Sequence, residues 1–197
     1  MWYWLLRGVS VILLKLLFHF KVEGLENLPK KTNFIIAANH TSYLDPVVMG
    51  AAIPKKIYWI TLRDVYELSF LKWLMLKKEA LPSGRSSERA IRLLNKGMNI
   101  GLFPEGTRSM DGQLKDFRRG AALLALRTGR PVVPCAILGA YEAWPRVAKL
   151  PRFTPIKVKI GTPQYLLKEF DDVVDDITMQ EGIFRLRNTI KEMLNAG

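Results

Sequence analysis

Short apolar runs alternate with amphipathic segments along most of the chain. Five runs have the length and composition of buried strands: NFIIAAN (33–39), KIYWITL (56–62), NIGLFP (99–104), VVPCAILG (132–139) and PIKVKIG (155–161). Segments with helical spacing lie between or after them, at 65–80, 88–97, 115–129 and 182–194. This alternation predicts an α/β fold, a single domain with a central mixed sheet flanked by helices. Functional residues are then expected in loops at the strand ends.

The first twenty residues predict a separate amphipathic helix. On a helical wheel one half is wholly apolar: Trp2, Leu5, Leu6, Val9, Ile12, Leu13, Leu16, Leu17 and Phe20. The other half holds Arg7, Gly8, Ser10, Lys15 and His19, together with Val11, Leu14 and Phe18. We expect residues 1–20 to lie in a membrane interface. Two alternatives stay open: the apolar face packs on the domain, or the helix is a tilted span in which Arg7 and Lys15 snorkel to the bilayer surface.

A secretory signal is not favoured, because no small-residue cleavage site follows and the charges lie inside the apolar stretch.

The composition points to an anionic partner. The chain has 197 residues, enough for one domain over 21–197, and its 30 Lys and Arg against 18 Asp and Glu give a formal charge of +12. Such a field favours phospholipid, nucleic acid or an acidic carrier protein.

The hydrophobic fraction of 49% favours lipid over nucleic acid as the anionic surface. We therefore expect a peripheral or monotopic protein on the cytoplasmic face of a membrane, with no nucleic-acid partner. The lone cysteine, Cys135, excludes an internal disulfide and any multi-cysteine metal site. It is compatible with a reducing compartment.

One candidate for chemistry is His40, which directly follows a predicted strand, with Asp45 five residues later. On one helix a spacing of five would hold the two side chains about 140° apart. A strand end, a tight turn and a helix start at Asp45-Pro46 would instead bring the carboxylate back beneath the imidazole, giving a base with an orienting acid. The alternative is that Asp45 only caps the helix and His40 only occupies a turn.

A second candidate is LFPEGTRS (102–109), which also follows an apolar run. Its Arg108 offers a planar fork for phosphate oxygens, and Thr107 with loop amides around Gly106 adds donors. The segment lacks the lysine and glycine spacing of a Walker loop, so a nucleoside triphosphate is not implied. An ordinary Pro-Gly turn with a solvated arginine is the alternative.

A third basic segment contains Arg85, Arg89, Arg92 and Lys96 at spacings of four, three and four. In a helix these residues form one cationic stripe. Such a stripe is usually a solvated face. Arg85, beside Gly84 and before the helix, is the member expected to turn into a cleft and meet phosphate.

Together these residues resemble the 1-acylglycerol-3-phosphate acyltransferase family of phospholipid and glycerolipid acyltransferases. NHTSYLD (39–45) resembles the family's His-x4-Asp box, FPEGTRS its acceptor-phosphate box, and VVPCAILGA with Pro134 its fourth block. ALPSGRSS offers Arg85 for the second block, without the bulky residues often seen before that arginine. The order and spacing agree over roughly residues 22–162.

The resemblance implies transfer of a fatty acyl group from acyl-CoA or acyl-carrier-protein to the free hydroxyl of a lysophosphatidate, giving phosphatidate. It implies His40 as general base and Asp45 as the residue that orients it. Arg108, helped by Glu105, Gly106, Thr107 and Arg85, is then expected to hold the acceptor phosphate. No metal or bound cofactor is needed, because the donor thioester is already activated.

Two alternatives to that activity stay open. The acceptor of an acyltransferase could be glycerol-3-phosphate, another lysophospholipid or a lipid A precursor. The chain could instead be a non-catalytic membrane-binding or nucleic-acid-binding protein that uses only its charge, and the joint occurrence of the two boxes would then be a coincidence.

Overall fold

A seven-stranded sheet forms the centre of the computed structural model, which describes residues 2–61, 80–82, 86–166 and 176–196. The strands are β1 (Lys21–Glu23), β2 (Ile35–Ala38), β3 (Ile57–Thr61), β4 (Ala80–Pro82), β5 (Asn99–Leu102), β6 (Val132–Leu138) and β7 (Lys157–Ile160). Their order is β1-β7-β6-β2-β5-β3-β4. All neighbours are parallel except β6 and β7, which are antiparallel. The sheet is therefore mixed, as predicted.

Helices cover both faces of this sheet. They are α1 (Trp2–Phe18), α2 (Asp45–Ala52), α3 (Ser86–Asn95), α4 (Gly120–Thr128), the short α5 (Ala140–Ala143) and α6 (Asp176–Asn195). Alternate residues of β2 enter separate cores, because successive strand side chains point to opposite faces. Ile36 and Ala38 pack with α1, α2 and α5, whereas Ile35 and Ala37 pack with α3, α4 and α6. The predicted α/β fold is confirmed.

Three details of the predicted elements are corrected. Strands β1 and β4 were not predicted, since each has three residues and β4 pairs only with β3 at the sheet edge. The predicted helix at 65–80 lies outside the described residues except for its last position, Ala80, which belongs to β4. The predicted helix at 115–129 begins only at Gly120, where the Leu123 amide bonds to the Arg119 carbonyl, and the residues before it form a loop whose Lys115 and Arg118 amides bond to Glu105 and Pro104.

Helix α1 docks on the domain through the half of its surface that carries the polar residues. Leu14 and Phe18 from that half are buried, and Val11 packs beside them. The Arg7 guanidinium donates to the carbonyl oxygens of Ala51 (2.9 Å) and Ile53 (3.2 Å) at the end of α2. Arg7 therefore joins the two helices rather than facing solvent.

The apolar half of α1 is left exposed. Its exposed members are Trp2, Leu5, Val9, Ile12, Leu13, Leu16 and Leu17, with Leu16 73% accessible. The alternative in which the apolar face packs on the domain is therefore wrong. Within the described ranges, no helix combines the length and apolar character needed to cross a bilayer.

Candidate active site

Two loops meet at the edge of the sheet where β2 and β5 end. These strands are parallel neighbours, with Ala37 of β2 paired to Leu102 of β5. Parallel neighbours end at the same edge of a sheet, so the segments that follow them start side by side. His40 lies on the first segment and FPEGTRS begins the second. Their backbones join where the Ser109 amide donates to the His40 carbonyl at 2.8 Å.

The His40 and Asp45 side chains are in direct contact. The distance from His40 Nδ1 to Asp45 Oδ2 is 2.7 Å, and the same oxygen accepts the backbone N–H groups of Thr41 (2.7 Å) and Ser42 (2.8 Å). Asp45 is the first residue of α2, yet its carboxylate points back to the preceding turn. The five-residue spacing therefore closes a turn around a buried carboxylate, and Asp45 is not simply a helix cap.

This contact determines which nitrogen of His40 is free. An ionised carboxylate can only accept hydrogen bonds, so in the neutral imidazole this contact favours the tautomer with the proton on Nδ1 and the lone pair on Nε2. Asp45 is fully buried, whereas the His40 side chain is 14% exposed. The ring is thus held at Nδ1 by a buried acceptor, and a small part of its surface is exposed.

Two aromatic rings fix the plane of the imidazole. Phe103 stacks on His40 with ring centroids 4.1 Å apart and planes inclined by 16°, and Trp59 stacks on Phe103 at 5.2 Å. Trp59 comes from β3 and Phe103 directly follows β5. The rotation of His40 is therefore restricted both by a hydrogen bond and by a stack that the sheet itself holds.

Glu105 is buried behind the histidine, with only 4% of its surface exposed. One of its carboxylate oxygens accepts the His40 backbone N–H at 2.6 Å, and the other accepts the Lys115 backbone N–H at 3.0 Å. Burial raises the pKa of Glu105 from 4.5 to about 7, although the two amide donors oppose that rise. The carboxyl group joins two loops, and its oxygens are taken up by backbone amides.

Gly106 turns the chain immediately after Glu105. Its φ of 74° lies in the left-handed region, and a Cβ there would come within 2.6 Å of the Arg118 side chain. The next residue, Thr107, is half-buried, and its hydroxyl accepts a hydrogen bond from Lys115 Nζ at 3.2 Å. The turn therefore favours glycine for its backbone conformation, whereas the exposed Arg118 side chain can move to admit a Cβ.

Arg108 lies flat on an aromatic ring. Its guanidinium carbon is 3.7 Å from the centroid of Tyr43, within the loop between His40 and Asp45. A stacked guanidinium keeps its N–H groups at the edge available for an anion. Among the described residues, the structure records no hydrogen bond or ion pair from the Arg108 side chain.

The family model described as Acyltransferase matches residues 19–138, which contain both segments of this site. The chain belongs to this acyltransferase family. The match runs from two residues before β1 to the end of β6 and so includes every residue of the site described above.

Individual relatives agree with the family. The chain is 33% identical over 137 residues to a chloroplastic 1-acyl-sn-glycerol-3-phosphate acyltransferase of Arabidopsis thaliana, covering 65% of this chain and 38% of that one. It is 30% identical over 184 residues to a chloroplastic enzyme of the same name from Brassica napus, covering 88% and 50%. The chain therefore spans half or less of the length of these two relatives.

A solved structure supports the fold of this family member. The crystal structure of the 1-acyl-sn-glycerophosphate acyltransferase from Thermotoga maritima matches with a TM-score of 0.78 at 24% identity. The match covers 97% of this chain and 79% of that one. At this identity the likeness extends to the fold alone.

The acyltransferase fold brings most of the predicted site residues together. His40, Asp45, Glu105, Gly106, Thr107 and Arg108 share the two adjoining loops. Arg85 lies outside the described residues. The rest of its predicted stripe is exposed, with Arg89 and Arg92 on α3 and Lys96 directly after it.

Sequence reasoning missed the groups that surround the pair. Tyr43 lies inside the His-x4-Asp box, but nothing in its spacing indicates that it stacks on Arg108. The stack of Phe103 on His40 depends on strand order. The Trp144 carbonyl, which accepts the Ser42 hydroxyl at 2.7 Å and the Tyr43 N–H at 3.4 Å, is about a hundred residues away in sequence. No local signal would have found that contact.

Proposed function

We propose that this protein transfers a fatty acyl group from acyl-CoA or acyl-carrier-protein to the sn-2 hydroxyl of 1-acylglycerol-3-phosphate, making phosphatidate. The observation that carries the proposal is the 2.7 Å contact between His40 Nδ1 and Asp45 Oδ2, which leaves Nε2 as a base. The names of the two plant relatives supply the substrate class, and membership of the acyltransferase family supplies the reaction class.

In the proposed reaction, His40 Nε2 removes the proton from the acceptor hydroxyl as its oxygen attacks the thioester carbonyl carbon. Asp45 holds the ring and stabilises the imidazolium that forms. When the carbon–sulfur bond breaks, the thiolate takes the proton back from His40 and leaves as a thiol. A general base of this kind typically contributes about 10²–10⁴-fold in rate.

The acceptor phosphate is proposed to bind at the edge of the Arg108 guanidinium. Arg108 precedes Ser109, whose amide is bonded to the His40 carbonyl, so a phosphate there lies close to the base. Gly106 and Thr107 provide the adjoining turn, and Arg85 is a further proposed ligand. Because both oxygens of Glu105 are engaged by amides, its contribution to phosphate binding is to position the loop.

We place the protein on a membrane, at the cytoplasmic face, with residues 1–20 forming an interfacial helix and 21–197 the acyltransferase domain. The exposed apolar half of α1 supports this location, since seven large apolar side chains there are 40–73% exposed. Both acceptor and product carry acyl chains, and each buried CH₂ contributes about 0.8 kcal/mol to membrane binding. An enzyme lying on the bilayer avoids moving these chains into water.

The test is phosphatidate formation, followed by mass spectrometry, from lysophosphatidate vesicles with acyl-CoA and acyl-carrier-protein supplied separately. Wild type is compared with His40→Asn and with the control His19→Asn. His19 is the only other histidine in the sequence; it is exposed and has a φ of 45° that asparagine tolerates. We expect product from wild type and the control, and at least a hundredfold less from His40→Asn.

Each other outcome has a definite meaning. Equal activity in folded His40→Asn would overturn the mechanism. Product from glycerol-3-phosphate or another lysophospholipid, but not from lysophosphatidate, would reassign the acceptor. A folded, vesicle-bound protein that is inactive with both donors and every acceptor would refute acyl transfer.

A further inference from the structure

The loop between α5 and β7 carries three pairs of a basic and an apolar residue at a constant spacing of three. The pairs are Arg146-Val147, Lys149-Leu150 and Arg152-Phe153. All six side chains are exposed, with accessibilities of 68% for Val147, 78% for Leu150 and 63% for Phe153. Nothing in the proposed reaction uses them. We call residues 146–153 the basic-apolar loop.

The basic-apolar loop is held in its conformation by hydrogen bonds. The indole N–H of Trp144 donates to the Ala148 carbonyl at 3.1 Å, and the Arg152 amide donates to the Ala143 carbonyl at 2.6 Å. The Thr154 hydroxyl donates to the Gly139 carbonyl at 3.4 Å. The apolar side chains are thus projected outward from a fixed backbone.

The charge of the loop is uncompensated. No acidic residue occurs between Glu142 and Glu169 in the sequence. Within the described part of the chain, the structure records no ion pair for the three basic side chains. A surface that alternates positive charge with single exposed apolar groups is complementary to anionic head groups over an acyl layer.

The basic-apolar loop adjoins both the interfacial helix and the candidate site. Phe153 packs edge-on against Phe18 at the end of α1, with centroids 5.6 Å apart, so the loop lies beside the C-terminal end of that helix. At its other end, the Trp144 carbonyl is bonded to Ser42 and Tyr43, and Tyr43 lies under Arg108. The loop is therefore connected, through Trp144 two residues before it, to the turn that carries Tyr43.

We propose that the basic-apolar loop is a second membrane-contacting element, which binds the head groups of an anionic phospholipid leaflet and inserts Val147, Leu150 and Phe153 between them. It would hold the mouth of the site at the depth of the acceptor head group, whereas α1 alone leaves the domain free to rotate about one helix. The positioning of the site rests on the proposed function, because only an acyltransferase needs its site at that depth. Lipid binding by the loop does not depend on catalysis.

The first test measures partition into vesicles of phosphatidylcholine with and without phosphatidylglycerol. The charge variant replaces Arg146, Lys149 and Arg152 by Gln. The matched control replaces by Gln three other exposed basic residues, Arg89 and Arg92 on α3 and Lys96 directly after it. One basic residue near an anionic leaflet strengthens binding about fivefold. We expect the loop variant to bind anionic vesicles at least tenfold more weakly and the control to change less than threefold. Equal losses would indicate a net-charge effect and overturn the proposal.

The second test detects insertion directly. An environment-sensitive fluorophore is attached through Leu150→Cys, or through Asn95→Cys on α3 as the control, since the native Cys135 is buried. We expect a blue shift with anionic vesicles only for the label at 150. Vesicle binding without a shift there would place the loop outside the membrane and overturn the proposal.

The failure of this inference can be distinguished from failure of the proposed function. Vesicle binding is measured without substrates, so an inactive wild type whose loop still inserts would refute acyl transfer and leave the loop assignment intact. In neutral detergent micelles the loop variant should keep the wild-type turnover. A different result would overturn the assignment to lipid: a loop variant that binds vesicles normally but loses activity only when acyl-carrier-protein is the donor. The loop would then be a binding surface for acyl-carrier-protein.

Discussion

The buried carboxyl group of Glu105 gives this protein a pH dependence whose size follows from its surroundings. Folding raises the pKa of this group from 4.5 to about 7, chiefly by burial. The folded state therefore keeps a proton that the unfolded chain releases. The associated stability is fully present below pH 4.5 and is lost as the pH rises through about 7. Each pKa unit is worth about 1.4 kcal/mol, so the loss is about 3 kcal/mol.

The substitution Glu105→Gln isolates this effect because glutamine keeps the shape and does not titrate. Its carbonyl oxygen can accept only one of the two backbone N–H groups, from His40 and Lys115, and its NH₂ faces the other. An unsatisfied buried donor costs about 1–3 kcal/mol. Below pH 4.5 we expect the variant to be less stable than wild type by that amount. At pH 8 ionisation of Glu105 has lowered the free energy of unfolding of the wild type by about 3 kcal/mol. The two proteins should then be about equally stable, or the variant should be the more stable one.

The assay is urea unfolding in neutral detergent at pH 4, 6 and 8, followed by tryptophan fluorescence. The control is Glu192→Gln, on the exposed face of α6, whose free energy of unfolding should change with pH as that of wild type does. The reasoning is refuted if the free energy of unfolding of Glu105→Gln also follows the pH dependence of wild type. A wild type that gains stability over the variant as pH rises would show that the two amide donors, rather than burial, determine the pKa of Glu105.

Three further results are expected. Gly24→Ala should cost more stability than Gly97→Ala, because both glycines have a φ near 79° but only at 24 would a Cβ meet a backbone atom, the carbonyl oxygen of Ile160; equal unfolding midpoints would contradict this. Arg7→Met should expose the docked half of α1, seen as faster proteolysis within residues 2–18, since it removes two hydrogen bonds to the end of α2; an unchanged digestion pattern would count against that docking. The Cys135 thiol, fully buried and with its pKa raised by desolvation, should react with thiol reagents only after unfolding, and modification of the native protein at neutral pH would argue against that burial.

Much of the fold was predictable because periodicity along a chain reports local structure. All five predicted strands formed, each within its predicted range, and the segment after Ser86 and the C-terminal segment are helices. The two strands that were missed have three residues each, too few for a pattern. The helix predicted at 65–80 stays a prediction, since residues 62–79 lie outside the described residues.

The site was predictable as a set of residues but not as an arrangement. The His40-x4-Asp45 spacing and the FPEGTRS segment are readable locally, and the turn that joins His40 to Asp45 follows from a strand end and a helix start. The bond from the His40 amide to Glu105 joins residues 65 apart and exists because β2 and β5 are neighbours in the sheet. The role of the Glu105 carboxylate therefore could not be read from its motif.

The sequence by itself determined the α/β class, the positions of the main strands, the pairing of His40 with Asp45, and the amphipathic division of α1. Only the tertiary structure decided that the polar half of α1 docks, that Glu105 is buried between two amides, and that the basic-apolar loop lies beside both α1 and the site. The physical reason is range. Propensity and periodicity act over a few residues, whereas burial, pKa shifts and contacts across the sheet depend on which distant segments the strand order places side by side.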